Sequence, residues 1–250
     1  MYSILEHYLS TNHILMIGMI VTFILTFFLL EHPFSFLPSD QGRAFAVNGS
    51  LSKGKLRGVG FIFVLCFLIS SVLFLPIDVE YVIYAILLFA MMISGYLDDA
   101  SKTPWNEYKK GLIDLVISVV AVLTYMNFNS TTICFGADEI VIPKALFLIL
   151  GVILIWVSVN VTNCTDGVDG LCASLCSVTL LAFGVLFAPI LQKYAMANFL
   201  FLSVLFAYLY FNSSPSSMLM GDAGSRALGF YIAVIALKST HPFIYILPVS

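Results

Sequence analysis

Three short polar clusters stand out in a 250-residue chain of which only 10% is charged. They are Asp98-Asp99, the stretch Asn163-Cys164-Thr165-Asp166-Gly167-Val168-Asp169-Gly170, and the stretch Met220-Gly221-Asp222-Ala223-Gly224-Ser225. Their side chains are carboxylates, amides and hydroxyls, the hard oxygen donors that suit Mg²⁺ and the hydrogen-bond acceptors that suit nucleotides. Their glycines let a backbone approach a ligand closely. Asp98 and Asp99 are sequence neighbours, so on a helix they point about 100° apart and suit a division of labour. One can serve proton transfer or activation of a nucleophile while the other holds a metal or a basic partner. A solvated helix end explains such a pair equally simply. Asp222 lies between glycines at the start of an apolar run, where helix-terminal N–H groups hold phosphate oxygens. There a plain helix cap by Asp222 or Ser225 is the simpler alternative.

The elements that must position these clusters are apolar. Sixty percent of the residues are hydrophobic and the mean hydropathy is +1.02, far from the roughly 25% charged residues of a soluble domain. The runs predict eight spans, at 14–30, 59–77, 79–97, 112–126, 145–159, 171–191, 195–211 and 227–237. They lack the two-residue alternation of a barrel strand, so the expected fold is an all-α polytopic membrane bundle. Residues 243–250 begin a further apolar run, expected to be either the start of a ninth span cut short or a tail lying at the interface. The chain is expected to be one transmembrane domain, 1–250, with no repeat and no soluble part. The clusters follow the third, fifth and seventh runs, so a chain that crosses at each run brings all of them to one face. Acidic groups so near hydrocarbon mark ion, proton or substrate chemistry.

Basic residues set the orientation. Arg43, Lys53, Lys55, Arg57, Lys102, Lys109, Lys110 and Arg226 fall on the cluster face, against Lys144, Lys193 and Lys238 on the other. The clusters are therefore expected in the cytosol and the N-terminus outside. The longest polar stretch, 31–57, reads as irregular; its basic end, Lys53 to Gly58, suits either phosphate binding or simple positive-inside anchoring. Five scattered Cys and four His give neither a disulfide framework nor a zinc spacing.

NxxNxTDGxDGL, MGDxGSxxLG and DD, with Phe211-Asn212-Ser213-Ser214-Pro215 ahead of the second, resemble the polyprenyl-phosphate N-acetylhexosamine-1-phosphate transferases, most of all the branch that uses muramoyl-pentapeptide donors. The resemblance covers about 53–237. It implies Mg²⁺-dependent transfer of a phospho-N-acetyl-sugar, expected to be phospho-MurNAc-pentapeptide, from a UDP-sugar to undecaprenyl phosphate, with release of UMP. It implies Asp98 as the group activating the lipid phosphate and Asp99 as its support. Asn163 and Asp222 would hold Mg²⁺, Lys53 would bind substrate, and Asp166, Asp169 and Asn212 would bind nucleotide or diphosphate. A homodimer is compatible with this reading, and no nucleic acid is expected.

The chain departs from the family at three places. Gly54-Lys55-Leu56-Arg57-Gly58-Val59-Gly60 stands where the family has a GTPTMGG-like loop. Leu219 stands where an aromatic residue often precedes MGD, which removes a stacking surface for uracil. The His-rich loop between the family's last two spans is missing, which truncation of the sequence explains as well as divergence does. Two alternatives remain: a variant using UDP-GlcNAc, and a truncated, non-catalytic relative that binds nucleotide or lipid. A transporter would place carboxylates at mid-span rather than at helix ends.

Single cysteines placed at residues 41 and 216 in a Cys-free background are expected to resist an impermeant thiol reagent in intact cells and to react once the membrane is opened. Labelling from outside would reverse the assigned orientation.

Overall fold

The computed structural model describes all residues except 33, 41, 43–52, 102, 104, 136, 137, 190 and 240–250. The expected ninth span, together with Arg43 and Lys102 of the basic count, lies outside the described residues. A short helix α1 (Tyr2–Leu5) precedes eight longer ones: α2 (Thr11–Glu31), α3 (Gly60–Phe74), α4 (Val79–Asp99), α5 (Glu107–Phe128), α6 (Lys144–Thr165), α7 (Leu171–Phe187), α8 (Gln192–Asn212) and α9 (Gly221–Lys238). Each coincides with one of the eight predicted spans. Five of them, α2, α4, α5, α6 and α8, are long and apolar enough to cross a membrane, and α3 and α7 are shorter apolar helices. The protein is an all-α, multi-pass membrane protein. A small antiparallel hairpin, β1 (Thr132–Phe135) and β2 (Asp138–Val141), joins α5 to α6, where the sequence predicts only a loop.

Most of the helices run past the apolar runs that predict them, whereas α3 and α7 stop a few residues short. α6 continues through Asn163 to Thr165 instead of stopping at 159, and α9 starts at Gly221 rather than 227. The motif residues therefore belong to helices. Hydropathy marks where lipid contact ends, whereas a helix continues for as long as its polar side chains find partners inside the bundle. Here the breakers, Gly167 and Gly170, arrive only after another turn.

α9 is the axis. All its residues, Gly221 through Lys238, are buried. It packs chiefly on α4 and α6, with α3, α7 and α5 around it. The lipid-facing side is built instead from α2, α5, α6 and α7, which expose large apolar residues such as Ile20, Leu115, Ile153 and Val178. Without a hydrophobic driving force between helices in lipid, close backbone packing at small residues holds such a centre together. A methyl group on Gly60 would lie 2.1 Å from the Gly224 nitrogen, and one on Gly95 would lie 2.3 Å from the Asp222 carbonyl oxygen. Gly229 meets Ser158 in the same way, and the Ser158 hydroxyl donates to the Gly229 carbonyl at 2.8 Å. Deeper in, Phe67 of α3 stacks on Phe201 of α8 with ring centres 4.1 Å apart, and Tyr231 of α9 meets both rings edge-on.

Ion pairs close the bundle at the end away from the clusters. The Lys238 ammonium donates to both Glu80 oxygens, at 3.1 and 3.0 Å, and to Asn129 at 2.7 Å, tying the end of α9 to α4 and α5. Lys193 pairs with Asp78, whose carboxylate caps α4 through the Tyr81 amide at 2.8 Å. On the cluster half of the bundle, Arg226 pairs with Asp114 at 2.5 Å and links α9 to α5 with both side chains buried.

Gly95→Ala is expected to destabilise the protein by about 2 kcal/mol, because its methyl would drive backbone against backbone where nothing flexible can yield. Gly111→Ala, whose nearest neighbour is a Trp156 ring atom at 3.9 Å, is expected to be neutral or stabilising. Thermal unfolding in detergent compares the two.

Candidate functional site

The site forms around the first turn of α9, whose leading amide N–H groups need partners from outside the helix. Neither Asp222 nor Ser225 caps it: the residue before the helix, Met220, makes no side-chain cap, and the Ser225 hydroxyl donates back to the Gly221 carbonyl at 3.0 Å. The cap comes from α4. Asp99 Oδ2 accepts from the Ala223 amide at 3.1 Å, which puts a carboxylate at the positive end of the α9 dipole. Gly221 makes room for it. Its φ of +67° is left-handed, and a methyl group there would fall 2.3 Å from Asp99 Oδ2. The glycine of the MGD motif is thus needed for both backbone angle and space.

Two cations join the carboxylates. Arg57 Nε donates to Asp99 Oδ1 at 2.7 Å, one terminal nitrogen reaches Asp40 Oδ1 at 3.2 Å, and the other reaches Asp222 Oδ1 at 3.4 Å. Lys110 Nζ lies 2.6 Å from Asp98 Oδ2 and 3.2 Å from Asp222 Oδ2, and Asp98 Oδ1 also accepts from the Trp105 amide at 2.7 Å. Asp98 and Asp99 do diverge as the helix geometry predicts, yet both face inward, because α9 and the start of α5 flank the end of α4. Burial pulls the Arg57 guanidinium down; Asp99, then Asp222 and Asp40, outweigh it and hold the group above its ordinary value.

The segment that carries Arg57 is docked. Leu56 bridges Ser39 on one side and Met218 on the other. The Leu219 amide donates to the Leu56 carbonyl at 2.8 Å, the Gly60 amide to Met220 at 3.0 Å, and the Arg57 amide to Pro38 at 2.9 Å. The basic stretch read from the sequence as either anchoring or phosphate-binding divides accordingly. Lys53 is exposed and stands apart from the carboxylates. Lys55 turns inward, donating to Ser216 Oγ at 2.8 Å and lying 3.7 Å from Asp169 Oδ2.

Asn163, on the last turn of α6, reaches α9 by donating to Ser225 Oγ at 2.9 Å. Asp166 caps the end of α6. Asp169 accepts from the Ser216 amide at 3.0 Å, so it faces the 213–219 loop. Asn212 is spent on backbone: its Oδ1 accepts from the Gly170 amide at 3.0 Å and its Nδ2 donates to the Met218 carbonyl at 2.9 Å. With only 3% of its surface exposed, it pins the 166–170 turn to the loop before α9. The structure therefore brings together Asp98, Asp99, Asn163 and Asp222, puts Asp166 and Asp169 on the adjoining turn, sets Asn212 behind them and leaves Lys53 outside. Arg57, Lys110 and Asp40 complete the cluster. The sequence reads Lys110 only as a topogenic charge and Arg57 as part of a stretch for anchoring or phosphate binding; neither is read as a partner of the carboxylates, although the spacing of Lys110 after DD carried the signal.

A family model described as Glycosyl transferase family 4 matches residues 81–240. A phospho-N-acetylmuramoyl-pentapeptide-transferase of Treponema pallidum is 35% identical over 92% of this chain and 70% of its own. The chain belongs to glycosyl transferase family 4. Proteins of the same name from Microcystis aeruginosa and Halalkalibacterium halodurans are 31% and 28% identical, over 73% and 94% of this chain and 53% and 78% of theirs. The protein is accordingly a membrane transferase of this family. Among the described residues no group of three His, Cys, Asp or Glu side chains is disposed to hold a metal ion by itself. The donor set nevertheless fits a hard divalent ion, since the Asp222 carboxylate and the Asn163 amide offer one charged and one neutral oxygen ligand, and Mg²⁺ takes its remaining ligands from water and phosphate.

For Asp169, burial raises the carboxyl, and the Ser216 amide and Lys55 more than reverse this, leaving it below the usual carboxylate range. A carboxyl lowered on folding adds stability above its unfolded value and loses that contribution as pH falls through its folded one. The stability gap between wild type and Asp169→Asn, open at about pH 6, is expected to close as pH drops below the ordinary carboxylate range near 3.9. Thermal unfolding of both proteins across that range measures it.

Proposed function

We propose that this protein transfers phospho-N-acetylmuramoyl-pentapeptide from its UDP-linked donor to undecaprenyl phosphate at the cytosolic membrane face, releasing UMP. The 35% identity to a transferase of that name, over 92% of the chain, carries the reading. The convergence of the polar motifs on one end of α4, α6 and α9 supports it.

The acceptor phosphate attacks the sugar-bearing phosphorus of the donor. One P–O bond forms there, the bond to the bridging oxygen breaks, and UMP leaves with that oxygen and its electrons. Both reactants are anions, so positive charge is needed to bring them together. Lys110, 2.6 Å from Asp98 Oδ2, supplies part of it, and Asp98 is the residue placed to take the proton of the acceptor phosphate. Asp99 acts through position: it fixes the start of α9 and, through Arg57, the docked 53–58 segment. Asp222 and Asn163 are the residues that would hold Mg²⁺, which when bound offsets phosphate charge. Asp166 and Asp169 border the nucleotide side, and Lys55 neutralises the latter. Asn212 is a positioning residue, its amide group being occupied at both ends. Substrate binding by Lys53 requires the donor to extend beyond the carboxylate cluster toward solvent.

Asp222→Asn is expected to lower exchange of labelled UMP into the UDP-sugar by roughly a hundredfold or more in the presence of undecaprenyl phosphate and Mg²⁺. The fold is expected to survive. Among the described residues, Asp98, Asp99 and Asp222 share the two cations Arg57 and Lys110, so losing one of these three carboxylates relieves an excess of negative charge. Full exchange with unchanged Mg²⁺ dependence would remove Asp222 from the mechanism.

A further inference from the structure

Both oxygens of Asp222 are already engaged. Arg57 reaches Oδ1 at 3.4 Å and Lys110 reaches Oδ2 at 3.2 Å. Arg57 is permanently charged and cannot drift away, because its backbone is bonded to Pro38 and flanked by bonds from Leu219 and Gly60 to the neighbouring strand-like pairing. A tethered group of this kind acts at high effective concentration. Its three contacts are unequal: the bond to Asp99 is 2.7 Å, that to Asp40 is 3.2 Å, and that to Asp222 is the longest. The Asp99 and Asp40 side chains are essentially buried, at 0% and 1% exposure, while Asp222 retains 11%. The guanidinium can therefore release Asp222 without leaving its two deeper partners.

We propose that Arg57 is a built-in counter-cation that competes with the divalent metal for Asp222 and so sets the metal concentration at which the site fills. The proposal rests on the reading of Asp222 as a metal ligand. Without a metal, the guanidinium neutralises the carboxylate cluster and keeps the first turn of α9 in place. With one, two positive groups meet at a single carboxylate, and the repulsion raises the metal concentration required. Arg57 is thereby a positioning residue for the empty state and a tuning residue for the loaded one. Lys55 and Lys53, on the same segment, face Asp169 and solvent and have no part in this competition.

Direct binding of Mn²⁺ to the purified chain, followed by electron paramagnetic resonance with no substrate and no turnover, tests the idea. Arg57→Gln removes the charge but keeps hydrogen-bonding capacity, and it is expected to tighten Mn²⁺ binding roughly tenfold. Arg57→Lys keeps the charge and is expected to bind Mn²⁺ like wild type. Mere structural damage would loosen binding, so tightening is the distinctive sign. Unchanged or weaker binding by a folded Arg57→Gln overturns the proposal. Should that variant fail to fold, Asp40→Asn decides: freeing Arg57 from Asp40 commits it to Asp99 and Asp222, so Mn²⁺ binding is expected to weaken severalfold, and equal or tighter binding overturns the proposal. Asp222→Asn separates the two readings. If it binds Mn²⁺ as well as wild type does, the metal assignment itself is wrong, whereas if it loses the metal while Arg57→Gln leaves affinity unchanged, only the competition fails.

Discussion

The contact between the Asp99 carboxylate and the first turn of α9 governs the architecture of the site. A helix beginning inside a membrane bundle leaves amide donors that neither lipid nor its own sequence can satisfy. Here a carboxylate from another helix satisfies one of them, at 3.1 Å from the Ala223 amide. That arrangement requires the two backbones almost to touch, and Gly221 and Gly95 allow it by having no side chain. It also buries a negative charge, which has to be matched by a cation. Arg57 matches it, and Arg57 brings the 53–58 segment with it.

A chain of dependence follows from this one contact. Because Arg57 is needed at Asp99, the segment preceding α3 is drawn across the mouth of the bundle and pairs with residues 218–220 through Leu56 and Met218. Because that pairing holds the approach to α9, Asp222 emerges where α4, α5 and α6 can all reach it. Lys110 arrives from α5 and Asn163 from α6. The buried Arg226 and Asp114 pair continues the α5 to α9 link deeper in the bundle, and Lys238 with Glu80 and Asn129 fixes the opposite end of α9. α9 is thus held at both ends and in between by charge, and along its length by glycine and serine contacts. A helix so constrained suits the proposed reaction between two mutually repelling anions, since catalysis by charge depends on groups that do not have to reorganise.

Much of the fold is legible in the sequence. Each of the eight predicted spans coincides with a helix, because in lipid any long apolar run must satisfy its backbone internally and a helix is the simplest way to do so. The motif residues Asp98, Asp99, Asn163 and Asp222 are legible as a group because carboxylates and amides next to hydrocarbon are too costly to be incidental. That the three helix ends carrying them lie on one face also follows from the parity of the spans.

Pairing, however, is a property of three dimensions. Along the chain Lys110 looks like an ordinary topogenic charge and Arg57 like part of an anchoring or phosphate-binding stretch; the packing of α4, α5 and α9 and the docking of Leu56 turn them toward Asp99, Asp98 and Asp222. Asn212 reads as a ligand donor, yet the fold spends both ends of its amide on the backbone at Gly170 and Met218. Lys53 and Lys55 are two residues apart and of the same type, and the docking of Leu56 sends one to solvent and the other to Asp169. The sequence by itself determined the lipid environment, the helices and the set of residues able to do chemistry, because those depend on local composition and on the cost of polar groups near lipid. The tertiary structure decided which charges meet and which residue caps α9, because these depend on backbone approaches of a few ångströms between segments far apart in the chain.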